Sequence, residues 1–253
     1  MNPRPKSKGI SYRGVEQICL PLAEVHTWSY VWQNAAESEI CAAVLSPEEK
    51  ERGTKYRDRD AGLRWMAART FLRSILAAYT ETPPRDIQLL VSDQGKPFLA
   101  GKNPLSLRFN ITHSGEYAIV AISREHSVGV DIEKIKPNFD YESIMSISFS
   151  NNERKLFSGL AESERLNTFY RIWTLKEAVA KAIGTGLSFP FEDIETRWDE
   201  SGPQLVSISG NRMTAAALRA EPLDLPSPYV GVVVSEAVPW TLQTFTLSKI
   251  STF

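Results

Sequence analysis

Two short stretches 104 residues apart carry the same helix-start chemistry. Ser46-Pro47-Glu48-Glu49 offers serine at the N-cap, proline at the first helical position and glutamate three after the cap. Ser150-Asn151-Asn152-Glu153 repeats the serine and the glutamate. At an offset of 107, Arg64 falls on Arg171, Asp86-Ile87 on Asp193-Ile194, and Gly95 on Gly202. Each half therefore reads as capped helix, long helix, Asp-Ile strand, glycine turn and further strands. That order predicts an α+β protein of two similar halves, each with helices packed on a mostly antiparallel sheet, related by a pseudo-twofold axis. We expect a flexible tail over 1–16, an N-terminal half over 17–126 and a C-terminal half over 127–253, with the active groups gathered at the seam.

Within this frame Ile18–Leu22 reads as a short strand stopped by proline, followed by a polar-apolar stretch to Leu45. A helix over about 60–79 places Leu63, Met66, Ala67, Phe71, Ile75 and Leu76 on one apolar stripe, with Arg64, Arg69 and Arg73 on the other face. Pro83-Pro84 ends it. Strands are expected over 87–91, 105–111 and 117–122, the last two joined by a Thr112-His113-Ser114-Gly115 turn. Val128 to Glu133 alternates with period two, which puts Val128, Val130 and Ile132 on one face and Asp131 and Glu133 on the other. An irregular connector spans 135–148. A second long helix runs from about 165 to 183 and stops at Gly184. The strands expected after it cover 193–197, 204–209, 213–219, 229–235 and 240–247.

The formal charge of −1 advertises neither nucleic acid nor membrane. Cys19 and Cys41 form no disulfide framework and no zinc spacing, as in a reducing compartment. The basic N-terminus lacks a following apolar region, and no apolar run approaches 18 residues. These features predict a soluble, cytoplasmic chain.

Polar chemistry concentrates in a few places. In Trp173-Thr174-Leu175-Lys176-Glu177-Ala178-Val179-Ala180-Lys181, Glu177 and Lys181 lie one helical turn apart on one face. Asp131 and Glu133 share a strand face, so three carboxylates are available for oxygen-only coordination. That donor set suits Mg²⁺, which shares its shell with substrate phosphates. Taken alone, an i,i+4 ion pair or an Asp-x-Glu strand is usually just a solvated face. Thr112, His113 and Ser114 supply hydroxyls and an imidazole beside a glycine, a plausible phosphate cradle. Lys96 sits on a rigid Gly-Lys-Pro turn, and Arg52 and Arg64 could reach a phosphate monoester. Together these point to a phosphate or pyrophosphate substrate.

Gly95-Lys96-Pro97, Phe109-Asn110-Ile111-Thr112-His113-Ser114-Gly115, Val128-Gly129-Val130-Asp131-Ile132-Glu133 and Trp173-x-x-Lys176-Glu177-Ala178-x-x-Lys181-x-x-Gly184-x-Gly186-Leu187 occur in that order. As a set, over roughly 45–190, they resemble the 4′-phosphopantetheinyl transferases, in particular the longer Sfp-type members with two fused halves. The resemblance implies transfer of phosphopantetheine from coenzyme A to a serine of an apo acyl or peptidyl carrier protein, releasing adenosine 3′,5′-bisphosphate. It also implies Asp131, Glu133 and Glu177 as Mg²⁺ ligands and Lys181 as the cation facing the pyrophosphate. His113, Arg52 and Arg64 would hold the 3′-phosphate, and Lys96, Thr112 and Ser114 would line the nucleotide site. The base is Glu177 directly or Glu133 through a metal-bound water. One departure is Glu49, where some members carry a basic residue; Lys50 or Arg52 would then substitute. The connector residues Lys134, Lys136, Phe139, Ile144, Met145 and Ile147 either dock the carrier or pack into the seam. Fused halves imply a monomer. Competing readings are another Mg²⁺-dependent phosphate-ester enzyme, such as a pyrophosphatase or nucleotidyl transferase, and a non-catalytic coenzyme A or carrier-binding module.

Overall fold

The computed structural model describes residues 18–32, 43–101, 103 and 105–247. The expected tail over 1–16 and Cys41 lie outside them. Both capping boxes form. Ser46 and Ser150 accept from the backbone of Glu49 and Glu153, whose side chains reach back, and start α1 (Pro47–Thr54) and α4 (Asn151–Ser158). The long helices α2 (Arg59–Thr80) and α5 (Glu162–Ile183) follow, and α5 ends on Gly184 at φ 80°. Strands β1 (Glu24–Val31), β4 (Leu107–Ser114) and β5 (Tyr117–Arg124) form the sheet of the first half. Their counterparts in the second are β6 (Val128–Lys134), β9 (Leu218–Pro222) and β10 (Tyr229–Glu236). The spatial orders β1-β5-β4 and β6-β10-β9 match, all pairs being antiparallel. Each half also holds a small hairpin, β2 (Leu89–Val91) with β3 (Pro97–Leu99) and β7 (Ile194–Asp199) with β8 (Gly202–Ile208). The last strand, β11 (Thr241–Leu247), leaves its own half and pairs parallel with β1.

The repeat extends to the buried ion pairs. Glu49, the capping-box glutamate, accepts from Arg73 Nε at 2.8 Å, and Arg73 donates on to the carbonyls of Pro84 and Ile87. Glu153 pairs with Lys176 Nζ at 2.7 Å, and Lys176 donates on to the carbonyls of Phe191 and Ile194. In both halves a buried cation on the long helix joins the start of the short helix to the segment before the hairpin. Arg73 is therefore buried, not on an exposed face, because the capping-box carboxylate and two carbonyls satisfy it.

Three expected elements need correction. Residues 18–22 are not a strand; β1 begins at Glu24. It is buried on both faces, with His26 and Thr27 inside, so its polar residues disguise it. The connector contains α3 (Glu142–Ser148), which lays Ile144 and Met145 onto the aromatic cluster of Phe149, Phe157, Phe169 and Tyr170. The strand expected over 213–219 is instead a short helix, α6 (Arg212–Ala216), followed by β9. Asn211 caps it by accepting from the N–H groups of Met213 and Thr214.

Each half has its own core, built on Phe71, Leu72, Ile75 and Leu76 in the first and on Leu175, Val179, Val232 and Val234 in the second. A third cluster, of Val25, Ile119 and Ala121 with Val128, Val130, Ile132 and Val233, joins the sheets across the seam. Each such valine or isoleucine side chain contributes about 1.5–3 kcal/mol on burial. Among the described residues no helix is long and apolar enough to cross a membrane.

Candidate active site

Strand β6 is an edge strand, with β10 on one side only. Its other edge would leave backbone N–H groups unpaired. Strand β4 from the first half covers that edge with side chains rather than backbone. Asn110 Oδ1 accepts from the N–H of Val130 at 2.9 Å, and Ser114 Oγ accepts from the N–H of Lys134 at 3.0 Å. The Thr112 hydroxyl donates to Asp131 Oδ1 at 2.9 Å, and the Ser114 hydroxyl to Glu133 Oε2 at 2.8 Å. Asn110, Thr112 and Ser114 are thus a period-two stripe stitching the halves together and orienting both carboxylates. The expected Thr112–Gly115 turn is corrected here. Thr112, His113 and Ser114 belong to the strand, and Gly115-Glu116 is a two-residue turn with positive φ at Gly115, the pattern of type II′.

Helix α5 reaches the same strand through Gly129. A Cβ there would sit 2.0 Å from the Ala178 carbonyl oxygen and 2.4 Å from the Ala182 nitrogen, so only glycine permits this backbone approach. The contact brings Lys181 Nζ to 2.5 Å from Asp131 Oδ1, 3.4 Å from Thr112 Oγ1 and 3.5 Å from Glu177 Oε2. Burial raises the pKa of Asp131, opposed by Lys181 and Thr112. Burial and then the Asp131 charge raise Glu133 to about 7, and the same two causes raise Glu177. Burial opposes the charge of Lys181, but the Asp131 and Glu177 carboxylates outweigh it and raise its pKa.

The donors fit a hard divalent cation. Three carboxylates repel one another here, and Asp131 Oδ2 is buried without a hydrogen-bond partner. As the side chains stand, no group of three or more His, Cys, Asp or Glu among the described residues is gathered at metal-ligand distance. Lys181 stands between Asp131 and Glu177 as the resident cation, while Glu133 is turned to Ser114.

The remaining candidates divide into two groups. His113 points away from Thr112 and Ser114 into a small, partly open cleft that Arg64 also lines, with Tyr30, Trp32 and Glu116. Desolvation of the ring and then the Lys181 charge lower the His113 pKa, although the residue as a whole is exposed. Arg64 Nε is buried and unpartnered. Arg52, by contrast, stacks on Trp65 at 5.1 Å and does not line that cleft. Lys96 Nζ donates to the carbonyls of Lys181 at 2.5 Å and Val128 at 3.2 Å, so it braces the end of α5 against the start of β6. Glu49 is committed to its cap and to Arg69 and Arg73, which accounts for an acid at that position.

Sequence reasoning assigned no role to Asn110, Gly129 or Lys176. The Asn-x-Thr-x-Ser spacing was the available signal for the first. The close approach at Gly129 and the buried partner of Lys176 depend on packing and had no local signature.

Comparison with known proteins bears on this geometry. Residues 127–232 match the family model described as 4′-phosphopantetheinyl transferase superfamily, and residues 30–125 match that of the 4′-phosphopantetheinyl transferase N-terminal region. The 4′-phosphopantetheinyl transferase HetI of Nostoc is 33% identical over 174 residues, covering 68% of this chain and 73% of the relative. The chain belongs to the 4′-phosphopantetheinyl transferase family. The transferase is also 31% identical to a phosphopantetheinyl transferase from Thraustochytrium, over 81% of this chain and 76% of that one. It is 36% identical to the human L-aminoadipate-semialdehyde dehydrogenase-phosphopantetheinyl transferase, spanning 71% of this chain and 63% of the relative. A holo-(acyl-carrier-protein) synthase structure from Bacillus anthracis aligns with 44% of the transferase and 94% of its own chain, at 24% identity and a TM-score of 0.35. By its sequence relatives the transferase is an enzyme of this class, and its own structure is an α+β fold.

Proposed function

We propose that this enzyme moves the phosphopantetheine arm of coenzyme A onto a serine of an apo carrier protein at the seam of two halves, 17–126 and 127–253. The observation that carries the reading is the Asp131–Lys181–Glu177 cluster, with Glu133 beside it, assembled from β6 and α5 under Thr112 and Ser114 of β4. Asp131, Glu133 and Glu177 would hold Mg²⁺. When bound, the ion would offset charge on the pyrophosphate oxygens. Lys181 supplies a second, covalently fixed cation for the same charge. One of the two carboxylates Glu177 and Glu133, both raised by burial and by Asp131, takes the proton of the carrier serine as it attacks the β-phosphorus, and the bond from that phosphorus to the bridging oxygen breaks to release adenosine 3′,5′-bisphosphate. Arg64 and His113, sharing the adjacent cleft, receive the 3′-phosphate. Arg52 on its Trp65 stack is the weaker candidate for that contact, and Lys96 borders the nucleotide through its turn.

Of the connector, Phe139, Ile144 and Met145 pack inward, whereas Ile147 is 72% exposed and Lys136 is exposed too. Those two are the part left for an acidic carrier, with the enzyme acting as a monomer. The deciding experiment incubates the enzyme with coenzyme A, Mg²⁺ and an apo carrier and weighs the carrier. A gain of about 340 Da, the phosphopantetheine arm on the serine nucleophile, supports the reading. Phosphate release with an unmodified carrier would overturn it in favour of a hydrolase.

A further inference from the structure

The cleft that Arg64 and His113 share also holds an acid. Glu116, the second residue of the β4–β5 turn, lines it too. An anion in a phosphate site opposes the ligand directly, and a free carboxylate is a good bidentate partner for the guanidinium the phosphate would need. Yet Arg64 makes no ion pair among the described residues, and its buried Nε has no partner. The Glu116 carboxylate is occupied elsewhere. Lys134 Nζ donates to Oε1 at 3.1 Å and to Oε2 at 2.9 Å, and the Tyr229 hydroxyl donates to Oε2 as well. The N–H of Glu116 in turn donates to the Tyr229 oxygen at 3.2 Å.

The two captors are themselves fixed. Tyr229 and Lys134 are direct cross-strand partners on β10 and β6, the tyrosine ring lies 4.6 Å from that of Tyr117, and Lys134 Nζ sits 5.7 Å over the Tyr229 ring. Gly115 makes room, since a Cβ there would fall 2.5 Å from the Tyr229 oxygen. Hydrogen bonds from Tyr229 and then Lys134 pull the Glu116 pKa down to about 2, so the carboxylate is charged throughout any working range.

We propose that Lys134 and Tyr229, both from the second half, hold Glu116 away from Arg64 and so keep the cations of the cleft available to a phosphate monoester. They are positioning residues for substrate specificity, acting through Glu116. The inference rests on the reading that Arg64 and His113 take the 3′-phosphate, and its test separates the two.

Steady-state transfer to an apo carrier is measured with coenzyme A and with 3′-dephospho-coenzyme A, after urea melts show that each variant is folded. Tyr229→Phe should raise KM for coenzyme A about tenfold, the worth of about one hydrogen bond to a charged group, with kcat little changed and KM for the dephospho substrate unaltered. Lys134→Met, which removes the other donor, should do the same. Glu116→Gln alone should leave KM for coenzyme A at or below wild type, and Tyr229→Phe/Glu116→Gln should return to it. If Glu116→Gln raises KM as much as Tyr229→Phe, or the double variant stays impaired, the three residues merely clamp the hairpin and the proposal is wrong. If Arg64→Ala hurts both substrates equally, the 3′-phosphate reading itself falls and takes the proposal with it. A normal Arg64 response with an unresponsive Tyr229→Phe overturns the proposal alone.

Discussion

Gly129→Ala tests how the site is assembled without touching any reacting group. Its added methyl would stand 2.0 Å from the Ala178 oxygen, 2.4 Å from the Ala182 nitrogen and 3.0 Å from the Ala182 Cα. All three are helix backbone, which has no rotamer to yield. Reaching the 3.4 Å of an ordinary contact requires α5 to retreat from β6 by about 1.4 Å. Lys181 and Glu177 ride on that helix and Asp131 on that strand. The 2.5 Å contact between Lys181 and Asp131 would then open toward about 4 Å, beyond hydrogen-bond range. Overpacking of this kind costs about 1–3 kcal/mol of stability. A misplacement near 1 Å in an active site costs about 10²-fold in rate. Gly159→Ala is the control, because its nearest neighbour would be 3.5 Å away and the residue caps a helix at φ −84°. The assays are kcat/KM for carrier modification and the urea midpoint. Should Gly129→Ala transfer within threefold of wild type and melt with it, the close approach does not set the site.

Further expectations follow from the same contacts. Asp131→Asn should cut transfer by at least about 10²-fold, as loss of a site carboxylate does, while the protein stays folded because Lys181 keeps Glu177; near-normal turnover at ordinary Mg²⁺ would exclude the site. Lys176→Met leaves the Glu153 carboxylate and two carbonyls buried without their cation, at a cost of about 3–5 kcal/mol. Adding Glu153→Gln should restore part of that loss, and denaturant melts showing less than 1 kcal/mol for the single change, an explicit threshold well below about 3 kcal/mol, would refute the buried pair. Lys96 supplies a pH test. Burial and then Arg108 lower its pKa to about 8, against 10.5 unperturbed, so between those values the unfolded chain holds a proton that the folded chain has lost. Wild-type stability relative to Lys96→Met should therefore rise from about pH 8 to 10.5, by no more than about 3 kcal/mol. A difference constant with pH would mean that the two carbonyls hold the amine charged.

Local chemistry was legible wherever it is settled over a few residues. Both capping boxes, the Gly184 stop and the alternation of β6 form as the letters indicate. So does the i,i+4 placement of Glu177 and Lys181. The repeat was legible too, since the offsets of 104 and 107 mark the two capping glutamates and the segments their cations reach. Strand β1 was hidden because burial on both faces removes the alternation that marks a half-exposed strand. Helix α6 was hidden because five residues cannot establish a period.

Residue order by itself determined where the two capped helices start and where α5 stops, that Asp131 shares a strand face with Glu133 and Glu177 a helix face with Lys181, and that one pattern is used twice. Those are short-range matters, decided by backbone hydrogen bonding and the geometry of a single turn or pleat. Only the tertiary structure decided that Thr112 and Ser114 meet the acids of β6 while His113, between them, lines a cleft with Arg64. It alone decided that Glu49 and Glu153 are buried partners of Arg73 and Lys176, and that Gly129 lets a helix backbone touch a strand. Each of these depends on what lies across the seam, where desolvation and contact distance set a charge's state and neither is a property of the residue or its neighbours in the chain.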